Sequence, residues 1–548
     1  MAITKKTIAL FIVGLYSCAL LAYRKPRLIV VVTVDQFSYN KLMECKPYLK
    51  GGLHNLLEHG IVYHNMYQPH GLPSTATGHT ALSTGTYACT HGISGNAWYN
   101  TDGVKVACDD DNNPESFVFS THDMHHYGKS PHNLMVDTIT DQFILSSEPY
   151  AQHTSYSISF KSRSAILTAG KLGKALWFDP ETGWFTSSKA YFDKLPAWVI
   201  RFNKKKRLNE MTSITWNRAY TSRDFPYRMF SKDPSSLGLF GKTIPFDRTA
   251  SEPYEYFSQT PAANSLIFEL ARTCIDEHVS RNPDNQLLIW LCPGALDRAG
   301  HEFGADSLHI TDLIYHLDLE LFRFYNAITK HVRKKDVLIV LTADHGIGNA
   351  PEKMQEKGYT GAHRIMADQL KKYLNTVAYK ETGYHQMIVG IKAPGIFFDL
   401  KKLQKLPQEK QDALMAACKS VIQKHPGVKK VWTYQELQNT TIEPKSLSAY
   451  FKHQAYPGRS GQLIVEPEPY CFMTQYHQGT SHKSPYNYDT HIPFIIYQSG
   501  SYERASIYDQ VLSLQFAPTL AHIIGIPRPS ACTHALLPGV TPTNDPCF

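Results

Sequence analysis

The clearest pattern along the chain is a set of short apolar runs, each of which ends at a polar residue. The runs Leu28 to Val34, Leu287 to Leu291 and Asp336 to Leu341 are dominated by Val, Ile and Leu and do not alternate with polar positions. Such runs are typical of parallel strands that are buried on both faces of a sheet. The pattern therefore predicts three central strands of an open α/β sheet.

Segments with helical spacing lie between and after these strands. Residues 263–279, 307–332 and 511–525 are predicted helices. Strands that alternate with helices indicate an α/β fold that is doubly wound, with a mainly parallel central sheet flanked by helices. We assign residues 24–548 to one domain with two insertions, an aromatic, lid-like one at about 101–255 and a small α+β subdomain at about 370–450.

The N-terminus has a composition of its own. A pair of lysines precedes an uncharged run from Ile8 to Ala22, and Arg24 ends it. The run is shorter than the ~20 residues that a membrane-spanning helix prefers, and it matches the charged and apolar regions of a secretory signal. Residues 1–23 are therefore predicted to be a signal peptide or an N-terminal membrane anchor, with lipidation at Cys18 as a third alternative. All three place the domain in the periplasm or the extracellular space.

Composition and charge narrow the choice of partners. The chain has 548 residues, of which 43% are hydrophobic and 19% charged, and its net charge is +8. These proportions describe a globular protein. The basic run Lys204 to Arg207 is too short to indicate a nucleic-acid groove, so no nucleic-acid partner is expected. A mildly positive surface favours anionic small molecules.

The cysteines point away from a thiolate metal site. The ten cysteines include no C-x-x-C pair, which is the spacing that such sites favour. In an oxidising compartment some of them could pair, and Cys532 and Cys547 are the candidates. The odd number left after removal or lipidation of Cys18 implies at least one free thiol.

Acidic and imidazole side chains stand at the ends of the predicted strands. Asp35 follows the first strand, and Asp344 and His345 follow the third. Asp297 and His301 follow the second with i, i+4 spacing, which on a helix directs both at one point. Open α/β sheets place their sites at the carboxyl ends of the strands, and Asp and His are zinc ligands. The spacing therefore predicts a metal site.

A second motif is the turn from Pro73 to His79, which carries Thr75. The apolar residues after the turn predict a helix, so Thr75 is placed near a helix N-terminus, where an anion is favoured. A threonine hydroxyl is a weak nucleophile unless a base or a metal activates it. The predicted activators are the Asp and His residues at the strand ends together with His482.

Further motifs accompany these residues along nearly the whole chain. They are Val34-Asp35-Gln36, Thr75-Ala76-Thr77-Gly78-His79, Ser83-Thr84-Gly85, His91-Gly92-Ile93, Gly95-Asn96-Ala97-Trp98-Tyr99, Lys161-Ser162-Arg163-Ser164, Gly183-Trp184-Phe185, Ala343-Asp344-His345-Gly346 and Ser481-His482. The combination resembles the alkaline phosphatase superfamily and, within it, the PafA-type alkaline phosphatases, which are zinc phosphomonoesterases with a threonine nucleophile. The resemblance implies an alkaline phosphatase-like catalytic domain.

The resemblance also implies roles for individual residues. One Zn²⁺ is expected on Asp35, Asp344 and His345, where it also coordinates Thr75, and a second on Asp297, His301 and His482. Asn96, Lys161 and Arg163 are expected to contact the phosphoryl group. Hydrolysis of small-molecule phosphate monoesters would then proceed through a phosphothreonine, and a monomer is the expected form.

Two positions depart from the family pattern. Thr77 stands where Pro is usual, and Lys483 where Gly is common after the zinc-binding histidine. Neither is an expected ligand, so these two departures are expected to affect the geometry of the site and the substrate preference more than the activity. His491 is an alternative to His482 as a metal ligand. Asp489 and His491 are also candidates for residues that orient the metal ligands through hydrogen bonds.

Two other functions compete with this prediction. A phosphodiesterase or nucleotide pyrophosphatase of the same superfamily would use the same metal ligands. A diester carries one charge fewer, however, so the pair Lys161 and Arg163 favours a monoester dianion. The alternative of another class is an inactive secreted binding protein built on this scaffold.

Overall fold

The computed structural model describes residues 25–540, apart from 120–127, 207, 221–226, 228–239, 280, 281, 283 and 445. The predicted signal or anchor at residues 1–23 and the candidate disulfide partner Cys547 lie outside the described residues. The cysteines that are described are free thiols. Within the described part, no helix is both long enough and apolar enough to cross a bilayer.

Strands and helices alternate along the described chain. The strands are β1 (Leu28–Val34), β2 (Ile61–Tyr67), β3 (Ala97–Tyr99), β4 (Lys105–Ala107), β5 (Asp110–Asp111), β6 (Gly128–Lys129), β7 (His153–Ser159), β8 (Lys174–Asp179), β9 (Trp184–Thr186), β10 (Ser213–Thr215), β11 (Thr243–Pro245), β12 (Gln286–Cys292), β13 (Val337–Ala343), β14 (Arg364–Met366), β15 (Ile388–Lys392), β16 (Gly395–Phe398), β17 (Val428–Thr433), β18 (Leu463–Pro467), β19 (Phe472–Thr474), β20 (His491–Gln498), β21 (Ala505–Ile507) and β22 (Val511–Leu512). The helices are α1 (Tyr39–Cys45), α2 (Gly52–His59), α3 (Thr75–Thr84), α4 (Ala88–His91), α5 (Ile139–Leu145), α6 (Ser162–Ala169), α7 (Ala197–Lys206), α8 (Pro261–His278), α9 (Ala295–Phe303), α10 (Leu308–Ile328), α11 (Pro351–Glu356), α12 (Ala367–Thr382), α13 (Leu400–Leu403), α14 (Gln408–Gln423), α15 (Tyr434–Asn439), α16 (Leu447–Gln454), α17 (Asn487–Thr490) and α18 (Phe516–Ile524).

The central sheet has the order β21-β2-β20-β13-β1-β12-β7-β8-β9, and β22 pairs with β2. Strands β13, β1, β12, β7 and β8 run parallel to one another, whereas β20 runs antiparallel to both β13 and β2. Every residue of β1, β12 and β13 is buried, as continuous apolar runs predict. The predicted α/β fold, with its mainly parallel sheet, is confirmed.

Helices flank this sheet in two groups. Helices α1, α2, α8, α9 and α10 pack in one group, and α3, α5, α6 and α18 in the other. The interior between sheet and helices is aromatic and aliphatic, with Trp290, Phe268 and Phe324 fully buried. The helix predicted at 511–525 starts only at Phe516, because Val511 and Leu512 pair with β2 as an edge strand.

A separate unit lies in the second predicted insertion. Its sheet has the order β15-β16-β18-β17 and is antiparallel throughout. Helices α12 and α14 pack on it around a core of their own, which includes Leu374, Leu414, Cys418 and Ile422. Because β18 completes the sheet, this subdomain extends beyond residue 450, where the sequence places its end.

Candidate active site

The carboxyl ends of β1, β12 and β13 bring the predicted metal ligands to one edge of the sheet. Val34 at the end of β1 pairs with Ala343 at the end of β13, so Asp35 and Asp344 leave the sheet side by side. The backbone N–H of Asp35 donates to the Pro293 carbonyl at 3.0 Å, which ties this end to the loop after β12. The parallel register therefore positions all three groups.

One candidate metal group is built on α9. Asp297 and His301 lie one turn apart, and His301 Nε2 is 3.3 Å from Asp297 Oδ1. His482, from a loop far along the chain, places its Nε2 3.5 Å from the same oxygen. The ligand atoms of these three residues all lie within 4.8 Å of one another. The structure thus brings together the second predicted ligand set.

The other candidate group is centred on His345. Its Nε2 lies 3.5 Å from Asp35 Oδ1 and 3.3 Å from Asp344 Oδ2. The mutually close set of ligand atoms consists of Asp35, Asp297 and His345. Asp344 therefore borders this group through His345, while Asp297 lies between the two groups.

The three histidines are oriented as metal ligands usually are. In each of them Nδ1 donates to a backbone carbonyl. His301 donates to Thr480 at 2.8 Å, His345 to Gly346 at 3.0 Å and His482 to Pro73 at 3.0 Å. Such bonds fix the tautomer and leave Nε2 with a lone pair.

The protonation of these groups suits a metal as well. Burial lowers the pKa of His345 to about 3 and also lowers the pKa of His482, so both rings stay neutral. Within the described structure, Asp35 Oδ1 and His345 Nε2 are buried without a hydrogen-bond partner. Neutral imidazoles and carboxylates with unused lone pairs are the donor set that Zn²⁺ takes. The residues present therefore fit the expected metal ions.

Lys161 lies between the carboxylates. Its Nζ is 2.6 Å from Asp35 Oδ2 and 2.5 Å from Asp297 Oδ2, and it donates to Thr75 Oγ1 at 3.2 Å. Burial opposes ionisation of Asp297, but Lys161 and His301 hold its pKa well below the usual range. Burial, followed by the charges of Asp297 and Asp344, raises the pKa of Asp35 well above it. The site therefore holds several carboxylates close together, which favours the binding of cations.

Thr75 is the first residue of α3. The helix can approach β13 because Gly78 has no side chain; a Cβ there would lie 2.1 Å from the Asp344 carbonyl oxygen. The Asn96 side-chain oxygen accepts the backbone N–H of Ala76 at 2.9 Å, which leaves its amide N–H groups as donors to a ligand. Thr75 and Asn96 are thereby held next to each other at the helix N-terminus.

A cavity of about 850 Å³ opens beside these residues. Asn96, Lys161 and Arg163 line it together with Asp297, His301 and His482. Arg163 lies on α6, two residues after Lys161, and its buried Nε has no hydrogen-bond partner among the described residues. The cavity therefore presents an amide and two cationic groups to one small molecule.

The site has the features of a known family. The sequence profile described as Type I phosphodiesterase / nucleotide pyrophosphatase matches residues 29–491. The chain belongs to this family. The match includes every predicted site residue, from Asp35 to His482.

Several relatives resemble the chain over nearly its full length. Alkaline phosphatase PafA from Elizabethkingia meningoseptica is 28% identical, and the match covers 93% of each chain. Alkaline phosphatase PhoV from Synechococcus elongatus is 26% identical, with 92% of this chain and 91% of PhoV covered. A crystal structure of wild-type PafA superposes with a TM-score of 0.80 at 26% identity, over 94% of this chain and 98% of PafA. The predicted resemblance to PafA-type alkaline phosphatases and the prediction of a phosphatase-type enzyme are confirmed.

Two residues of this family member take part in the site although no role was predicted for them. Gln36 adopts a positive φ of 65°. Its backbone N–H donates to Asp344 Oδ1 at 3.0 Å and its side chain donates to Asp297 Oδ1 at 2.9 Å. His79 Nδ1 lies 2.8 Å from the Thr75 carbonyl and 3.3 Å from Asp344 Oδ2. The sequence signals were their places in the motifs Val34-Asp35-Gln36 and Thr75-Ala76-Thr77-Gly78-His79 and, for His79, the i, i+4 spacing from Thr75.

Of the two residues weighed as orienting groups, Asp489 contacts the segment that carries His345, since its backbone carbonyl accepts from the Gly346 N–H at 2.7 Å, whereas His491 lies elsewhere. His491 Nε2 bonds to the His64 carbonyl at 2.7 Å, and its ring stacks on Tyr39 and Tyr67. Asp489 accepts from the Ser484 hydroxyl at 2.7 Å, and burial raises its pKa to about 8. His482 rather than His491 is therefore the histidine beside Asp297.

Proposed function

We propose that the chain hydrolyses phosphate monoesters at a site that holds two Zn²⁺ ions, with Thr75 as the nucleophile. The observation that carries the proposal is the convergence of two Asp/His groups and one threonine hydroxyl at the same sheet edge. The relatives named alkaline phosphatase support the reaction class. We further propose that the protein is exported from the cytoplasm and is a monomer. The N-terminal pattern supports the export.

Asp35, Asp344 and His345 would hold one ion, and Asp297, His301 and His482 the other. When bound, the ions would lower the pKa of the threonine hydroxyl and offset negative charge on the reacting oxygens. The Gln36 side chain and the carbonyls of Thr480, Pro73 and Gly346 keep the ligands oriented.

The chain's own residues would position the substrate. Arg163 and Asn96 would bind the non-bridging oxygens, Arg163 by the planar fork that suits a phosphoryl dianion. Lys161, 3.2 Å from Thr75 Oγ1, would orient that oxygen towards phosphorus. As the bond from Thr75 Oγ1 to phosphorus forms, the bond from phosphorus to the ester oxygen breaks. The alcohol leaves with the proton that Thr75 has lost. Water then attacks phosphorus, the bond to Thr75 Oγ1 breaks with return of a proton to that oxygen, and inorganic phosphate leaves.

The test compares p-nitrophenyl phosphate with its bis-ester in the wild type and in Arg163→Ala. We expect kcat/KM to favour the monoester, and Arg163→Ala to lower the monoester value by about 10–100-fold, since a hydrogen bond to a charged group contributes about 1.5–3 kcal/mol. Bis-ester hydrolysis should fall less, and chelation should abolish both activities.

Each other outcome points to a specific alternative. A wild type that prefers the bis-ester would support the phosphodiesterase function. Zinc-loaded protein without any turnover would support the binding protein.

A further inference from the structure

The cavity has further lining residues from the subdomain and from the loop after β19, which we call its second wall. Lys392, the last residue of β15, lines this wall. Lys483, which follows His482 directly, lines it as well and donates to the Met473 carbonyl at 3.3 Å. We call these two residues the lysine pair. The lysine pair shares one cavity with the phosphoryl-binding residues.

The cations that line the cavity fall into two groups, those with an acidic partner and those without one among the described residues, and the lysine pair belongs to the second group together with Arg163 and Arg459. Lys161 lies against Asp35 and Asp297, Arg298 pairs with Glu255 at 2.7 Å, and Arg364 pairs with Glu352 at 2.8 Å. In the part of the chain that the structure describes, neither Lys392 nor Lys483 has a carboxylate within 4.0 Å.

The neighbours of the lysine pair include a third lysine instead of an acid. Lys392 acts electrostatically on Lys483, and the side chain of Lys105 approaches Lys392 within hydrogen-bond reach. Like charges in a partly desolvated cleft repel one another more strongly than in water. An anion between them would relieve this repulsion, so the arrangement favours a negatively charged ligand.

We propose that the lysine pair is a second anion subsite, and that the preferred substrates are phosphate monoesters whose leaving group carries a further anionic group. A carboxylate, a sulfonate and a second phosphate are equivalent in this respect. The inference rests on the proposed phosphatase function, because the first phosphate must occupy the reactive wall while the second anion lies on the lysine pair.

The experiment uses alkyl phosphates that end in either a sulfonate or a hydroxyl, with spacers of increasing length. The sulfonate cannot be hydrolysed, so only one end of each substrate reacts. We expect the wild type to prefer the sulfonate over the matched hydroxyl in kcat/KM by about tenfold for at least one spacer, the size of one charged contact. The preference should shrink as salt shortens the screening length from ~30 Å to ~3 Å.

Variants then locate the preference. Lys483→Met and Lys392→Met, measured independently in case one fails to fold, should each lower the sulfonate-to-hydroxyl ratio severalfold, whereas Lys483→Arg should keep it. The matched control is Lys401→Met, an exposed lysine that pairs with Asp102 at 2.8 Å, and its ratio should equal that of the wild type.

Two results would overturn the inference while leaving the phosphatase function in place. One is an equal rate for sulfonate and hydroxyl substrates at every spacer length. The other is a preference that survives in both methionine variants. A wild type that hydrolyses neither series would overturn the proposed function itself, and this inference with it.

Discussion

The two walls of the cavity are built in different ways. The reactive wall consists mainly of the carboxyl ends of buried parallel strands, and its Lys161 is compensated at short range by Asp35 and Asp297. The second wall comes from the antiparallel subdomain, which has a core of its own, and from the loop after β19, and its lysine pair lacks acidic partners among the described residues. The difference indicates that the sheet carries the chemistry and the subdomain carries the selection of the leaving group.

The two walls are also expected to differ in how rigidly their side chains are held. On the reactive wall each ligand side chain is held by a second contact, as Asp297 is by Gln36 and His301 by the Thr480 carbonyl. Such contacts preserve the geometry that catalysis needs. We expect that a wall that only selects a leaving group can be changed with smaller losses.

The largest expected effect is on the reactive wall. Thr75→Ala should lower kcat for p-nitrophenyl phosphate by at least about 10³-fold, because the group that forms the covalent bond is lost. The matched control is Thr80→Ala on the same helix, where the hydroxyl bonds to the Ala76 carbonyl at 2.6 Å; its kcat should stay within about threefold. Steady-state kinetics on folded, zinc-loaded protein measures both. Equal losses in the two variants would show that the hydroxyl of Thr75 has no special role.

A matched pair of core truncations separates the two regions. Leu414 in the subdomain and Leu288 in β12 are both fully buried, so Leu→Ala at each should lower the free energy of unfolding by about 2–5 kcal/mol. Because β12 leads directly into α9, Leu288→Ala should also lower kcat, whereas Leu414→Ala should change it by less than about threefold. Denaturant unfolding and kinetics on the same samples provide both values. A kcat that falls equally in the two variants would contradict the division.

The smallest effect concerns Asp489, on the segment that joins the two regions. Burial raises its pKa to about 8, so above the ordinary pKa of ~4 the folded state binds one proton more than the unfolded state. Stability must therefore fall as the pH rises from about 4 to about 8, and level off above that. Asp489→Asn stays neutral, so its stability relative to wild type should rise by about 1–3 kcal/mol between about pH 6 and about pH 8.

Urea unfolding at both pH values measures this change. The control is Asp102→Asn, an exposed carboxylate, whose difference from wild type should stay constant over the same range. A constant difference for Asp489→Asn as well would mean that Asp489 is ionised in the folded protein.

Local patterns in the sequence were sufficient to predict the main strands and the Asp and His side chains at their carboxyl ends. The apolar runs predicted β1, β12 and β13, and the i, i+4 spacing predicted that Asp297 and His301 lie together. Both signals extend over only a few residues. Gln36 was not predicted as a site residue, since its positive φ and its bond to Asp297 depend on the packing of α9.

Contacts between distant segments were beyond such patterns. The antiparallel insertion of β20 between β2 and β13 depends on pairing with partners far along the chain. The same holds for Lys392, which reaches the cavity only because the subdomain folds over it. Periodicity and spacing carry no signal for either.

Zinc content measures the central claim most directly. The wild type and His301→Ala are loaded with excess Zn²⁺, freed of unbound metal and analysed by mass spectrometry for metal per chain, with His425→Ala, a half-buried histidine outside both groups, as control. If two separate Asp/His groups each hold an ion, the wild type and the control will carry about two ions and His301→Ala about one. A wild type with one ion or none, or a His301→Ala variant that keeps both, would contradict the account.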